Sequence, residues 1–179
     1  MPNEEYMPLA VREFEKLKSL ADRAISQLPA DGFFAVPGEG DNSVAVIVKH
    51  VSGNMRSRWR DFLSSDGEKP DRQRDLEFVI SGGDSRESLL TRWDEGWAAL
   101  FSALAPVRPS DLGRTVAIRG EAMTVLQAIN RQLTHYAYHV GQIVYLAKHF
   151  TGGRWKSLSI PLGESEQFNR APKEYLGNA

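Results

Sequence analysis

Cysteine is absent from this chain, and that one absence removes disulfides, thiolate metal sites and a cysteine nucleophile together. Any metal must then be held by nitrogen or oxygen. Long apolar runs are missing as well: no stretch of about 18 apolar residues is available to span a bilayer, so no membrane association is expected. The opening MPNEEYMPLA lacks the basic-then-apolar pattern of a secretion signal, which makes the cytoplasm the expected location. Neither sign of charge is in excess. A formal net charge of −1 and a pI near 6.4 supply no basic footprint, which disfavours nucleic acid as a partner. What is present is 41% apolar and 25% charged residues over a length of 179, suited to a single domain, 1–179, with a sizeable core.

Histidine is also scarce, and three of the four in the chain fall within Asn130–Phe150, NRQLTHYAYHVGQIVYLAKHF. This stretch reads as one long helix. At about 100° per residue, His135 and His139 lie about 40° apart and one turn from each other, so both imidazoles can point at the same spot. Their face also carries Ala128, Gln132, Gln142 and Leu146, beside an apolar stripe of Ile129, Leu133, Tyr136, Val140 and Ile143. His149 sits roughly 15 Å further along the axis and cannot share an ion with them. A third imidazole must come from His50, which requires its helix to pack directly against this one. The rival reading makes His50 a hydrogen-bonded core histidine. An HExxH metalloprotease is disfavoured, because Tyr136 stands where that motif places its glutamate.

Helical periodicity from Pro8 to Leu28, with Leu9, Phe14, Leu17, Ala21, Ala24, Ile25 and Leu28 on one side and Pro29 closing it, predicts a first helix. Asn3, Glu4 and Glu5 offer an earlier start. Phe33 and Phe34 are expected to tuck under the Gly- and Pro-rich loop 31–40. Asn42 or Ser43 caps a second helix running to about Leu63, although its Val44–Val48 run alone would also suit a strand. Gly53 on this helix permits close approach of another element. Residues 64–83 read as a polar excursion. A third helix opens at Asp84, with Glu87 completing a capping box, and stops at Pro106. Leu112–Met123 suggests a two-stranded ribbon turning at Arg119-Gly120-Glu121. Thr124 and Gln127 then form the capping box of the histidine helix. The tail after Gly153 has no sustained period, with Trp155, Leu158, Ile160 and Phe168 expected to pin it down. The expected class is all-α: a four-helix bundle with a short β-ribbon before the last long helix and an irregular C-terminal tail.

Three neutral imidazoles without a carboxylate leave at least one position open on a cation, the arrangement of a catalytic rather than a structural site. Such an ion can acidify a water to a pKa of about 7. Gln132, Gln142 and Asn54 lie within a turn of a ligand and are candidates to orient an imidazole or face a substrate. Arg131 is a candidate for an anionic ligand, against a solvated arginine. Arg56, Arg58 and Arg60 read first as surface or salt-bridging charges. Trp93 and Trp97 read as core.

A histidine in the second helix followed by HxxxHxGQ, here His135, His139, Gly141 and Gln142, resembles the DinB-like (YfiT-like) four-helix metal-binding superfamily over about Leu9 to Phe150. The segments NSVAVIVKHVSGNMRSRW, DFLSSDGEKP, RGEAMTVLQAINRQLTHYAYHVGQIVYLAK and SLSIPLGESEQFN resemble one bacterial branch of it. The resemblance implies a divalent ion, nickel or zinc, on His50, His135 and His139, and a bundle that dimerises. It also implies a small-molecule substrate and a metal-dependent activity of thiol S-transferase or hydrolase type, the thiol being of low molecular weight. The alternative is a non-catalytic, metal-stabilised binding or dimerisation module.

Overall fold

The computed structural model describes residues 4–170. Four long helices carry the chain: α1 (Tyr6–Gln27), α2 (Val44–Trp59), α3 (Arg86–Leu104) and α4 (Val125–Thr151). A ribbon of β1 (Thr115–Ile118) and β2 (Glu121–Thr124) precedes α4, and a six-residue helix, α5 (Ser165–Arg170), lies in the tail. That last helix corrects the expectation of a wholly irregular tail. Among the described residues, no helix is long and apolar enough to cross a membrane.

Helix α1 begins at Tyr6, so Pro8 sits in the first turn, where its missing N–H has no partner to lose. The cap residue Glu5 makes no side-chain capping bond, and Asn3 lies outside the described residues. Met7, Ala10, Phe14, Ala21, Ala24 and Ile25 are buried, whereas Leu9, expected on the same stripe, is 55% exposed. Leu28 turns extended ahead of Pro29, as the ring of a following proline demands.

Ser43 caps α2 by accepting from the Val46 N–H. The β-branched Val44–Val48 run is helical despite its propensity, because α2 is covered nearly all round: it packs on α3, α4 and the connector that follows it. It ends at Trp59 rather than Leu63. Arg60 is extended and Asp61 takes a positive φ of 51°, so the chain leaves the helix there.

Residues 64–83 are more ordered than a polar excursion. Asp66 accepts from the backbone N–H groups of Glu68, Arg119 and Gly120, while the Gly67 N–H donates to the Ala117 carbonyl. The connector is thereby sewn to the ribbon, and it then forms a short 3-10 helix over Arg74–Phe78. The box that opens α3 is Ser85 with Ser88, one residue on from the expected Asp84 and Glu87. Asp84 is instead buried, holding Lys49, Arg92 and the Ser81 hydroxyl.

In the ribbon, Thr115 pairs with Thr124 and Ile118 with Glu121. The two turn residues, Arg119 and Gly120, have φ of 58° and 75°, the positive-φ pair of a tight hairpin whose twist matches its strands. Thr124 and Gln127 close a reciprocal capping box on α4. Phe14, Trp59, Trp97 and Tyr136 meet at the centre, with ring centroids 5.8–6.4 Å apart. Trp93 and Trp97 are core, as expected. Phe33 is fully buried but Phe34 is 37% exposed. Trp155 and Leu158 pack on the core from the tail.

Candidate metal centre

Two helices bring the site together. His50 lies mid-way along α2, and His135 and His139 sit one turn apart on α4, which packs directly on α2. One ring nitrogen from each comes within 4.8 Å of the others. The Nε2 atoms of His135 and His139 are 3.1 Å apart, near the roughly 3.3 Å that separates two nitrogens each about 2.0–2.1 Å from one tetrahedral ion. His149 takes no part; it packs on Phe150.

The outer nitrogens explain why the inner ones face each other. His50 donates from Nδ1 to the Glu77 carboxylate at 2.9 Å, and Phe78 covers the same ring at 4.7 Å between centroids. His139 donates from Nδ1 to Oε1 of Gln142, also at 2.9 Å. Each bond fixes a tautomer and leaves the Nε2 lone pair pointing inward, the usual way a protein sets up an imidazole ligand. His135 differs, since its buried Nδ1 has no hydrogen-bond partner. Its Nε2 is the atom that faces His139, so the orphan Nδ1 belongs to the far side of the ring and the inner nitrogens alone make up the ligand set.

Charge state agrees with donor geometry. Burial pushes His135 down to about 3, helped by the neighbouring His139 and His50 and by Arg58 and Arg72. Burial lowers His139 too, against an opposing hydrogen bond from Gln142. Both are therefore neutral at pH 7, the form that binds metals. Burial works against the charge of Glu77, yet Arg72 and His50 hold its carboxyl below the ordinary range. Arg72 does so by a two-bond clasp, Nε and Nη2 each 2.8 Å from a carboxylate oxygen.

Glu77 reaches His50 because residue 53 is glycine: a Cβ there would stand 2.8 Å from Glu77 Cδ. The close approach allowed at Gly53, to another helix or a ligand, is thus made by the 3-10 helix of the connector. Glu77 and Arg72 were invisible to periodicity, and the only hint in the sequence is Phe78, an aromatic residue inside a polar stretch.

Of the three orienting candidates, Gln142 alone hydrogen-bonds to a ligand imidazole. Gln132 donates to Asn54 Oδ1 and to the Tyr136 hydroxyl, which itself accepts from Trp59 Nε1 and donates to Asn54. Tyr136 was not expected to serve the site, yet this buried network fixes the floor beside it. Asn54, Gln132 and Arg131 line an adjoining cavity of about 210 Å³, with His50 and His135 in its wall. In the arginine cluster of α2, Arg58 is buried against Gly67 and Glu68, Arg60 pairs with Asp71, and Arg56 is exposed.

Residues 2–164 match the family described as "Protein of unknown function (DUF1572)". The chain belongs to that family. Among the curated proteins, none matches it. For this DUF1572 chain the site therefore has to be argued from its own residues, and the three-histidine group is compatible with a bound metal.

Proposed function

We propose that His50, His135 and His139 hold one divalent cation, nickel or zinc, and that the protein is a metal-dependent enzyme acting on a small molecule by thiol transfer or hydrolysis. The observation that carries this reading is the convergence of three ring nitrogens, two of them aimed inward by hydrogen bonds at the far side of the ring. The long helices and the HxxxHxGQ pattern support placing it among DinB-like four-helix bundles. Tyr138 and Tyr145, exposed on one side of α4, support the homodimer that such proteins form.

A cation so held supplies Lewis acidity, lowering the pKa of a water or thiol that reaches it. The chain's own residues do the rest. Glu77 and Gln142 keep two imidazoles in the tautomer that presents Nε2. Phe78 shields the His50 ring from solvent, and the Asn54, Gln132 and Tyr136 network holds polar groups at the cavity floor. With no carboxylate among the three ligands, a cation keeps its charge undiminished toward an incoming molecule.

Elemental analysis of protein purified without a histidine tag tests the centre, with about one divalent ion per chain expected in the wild type and almost none in His50→Ala. Retention of metal by that variant would refute the assignment. A cation that serves stability alone would make helicity depend on it. The completed aromatic core and satisfied Tyr136 network instead favour a fold that persists without metal, and circular dichroism after chelation separates the two.

A further inference from the structure

The cavity beside the histidines is walled by five arginines: Arg58 from α2, Arg72 and Arg74 from the connector, Arg119 from the ribbon turn and Arg131 from α4. No carboxylate is among its lining residues. Behind the wall, Glu68 is shared by Arg58, Arg72 and Arg119, Glu77 is clasped by Arg72, and Asp75 lies 3.6 Å from Arg74. Asp66, which accepts from the Arg119 N–H and lies near Arg58, is a fourth carboxylate; five guanidinium groups against four carboxylates leave one positive charge uncompensated. Arg131 has no ion-pair partner among the described residues. The side chains of Arg58 and Arg72 are only 6% and 4% exposed, so water screens their charge poorly.

Salt-bridging accounts for Arg58, Arg72 and Arg119, which help pin the connector through Glu68. It does not account for Arg131, carried on the same helix as two of the histidines and facing the same space. The two histidines in the wall, His50 and His135, carry no negative charge to offset it. A volume of about 210 Å³ is room for the acid group of a small molecule.

We propose that this cavity binds a small anion, the carboxylate or phosphate group of the molecule on which the centre acts, with Arg131 and Arg119 as its outer contacts and Arg58 behind them. The placement of that anion next to reacting atoms rests on the metal-centre reading; its binding to the arginines does not. Arginine suits the task because its planar fork meets two oxygens of a carboxylate or phosphate at once.

Calorimetric titration of the full chain with malonate, inorganic phosphate and the uncharged malonamide, at low ionic strength, tests this directly. Malonate, phosphate or both should bind saturably, and whichever binds names the group. Arg131→Gln and Arg119→Gln, both at exposed positions, should each weaken binding at least tenfold, and Arg131→Gln, which breaks no ion pair, should leave the circular dichroism spectrum and the metal content unchanged. Equal affinity in wild type and both variants, or equal binding of malonamide, would overturn the proposal. Metal retained with neither anion bound would defeat it and spare the metal centre. Arg131-dependent anion binding by protein that holds no metal would sustain it while the metal centre fell.

Discussion

His135 differs from the other two imidazoles in having nothing bonded to its far nitrogen, and its acid–base behaviour follows. A histidine held neutral down to about 3 in the fold but titrating near 6.5 when unfolded binds a proton more readily in the unfolded chain. Stability of the metal-free protein therefore falls as pH drops from 6.5 toward 3, and is insensitive to this group above 6.5. Urea denaturation of metal-free wild type and His135→Gln across that range checks the sign, the variant losing the part of the slope that His135 supplies. Glu77→Gln keeps the shape but removes the charge that polarises His50, so metal affinity should fall about 10- to 100-fold in a competitive chelator titration. Tyr136→Phe removes the hydroxyl that joins Trp59, Gln132 and Asn54, leaving buried polar atoms unpaired at a cost of about 1–3 kcal/mol, measurable by denaturation.

At the scale of elements, helix starts are set by single side chains. Ser43→Ala and Thr124→Ala should each cost about 1 kcal/mol, while Ser85 rather than Asp84 is the cap whose loss frays α3. Gly53→Ala is expected to act differently: the added carbon meets Glu77, so metal binding suffers along with stability, and a metal titration separates it from a simple cap variant. These elements also mark what was legible in the sequence. Periodicity and capping residues revealed the four long helices, the ribbon turn and the pairing of His135 with His139, because each depends on neighbours a few positions away; His50 is remote in the sequence and entered only as the one other histidine and through the family resemblance. Glu77, Arg72 and the Tyr136 network were not legible, since they depend on how residues 64–83 dock, and that docking is decided by Asp66, Gly67 and the ribbon turn about 50 positions on. Leu9 and Asp84 erred for the opposite reason: a local rule held, but the packing of α1 and the salt bridge to Lys49 overrode it.

For the whole molecule, the core is assembled before any ion is considered. Phe14, Trp59, Trp97 and Tyr136 close it without help from the histidines, so chelation should lower the melting temperature while leaving the helical spectrum intact. A ligand present at about a hundred times its dissociation constant contributes about 2.7 kcal/mol, and calorimetry with and without added nickel or zinc measures that difference. The uncompensated arginine charge adds that the same ion should bind more tightly once an anion is present, and by reciprocity the anion more tightly once the ion is.

A second and larger cavity, about 460 Å³, lies between α2 and α3, and Arg72 and Glu77 line it as well. Arg72 lines both cavities, and the Glu77 that it clasps packs against Gly53 of α2. A displacement of Glu77 would take the acceptor away from His50. A guest that pries the larger chamber open would therefore be felt at the imidazole without ever touching it.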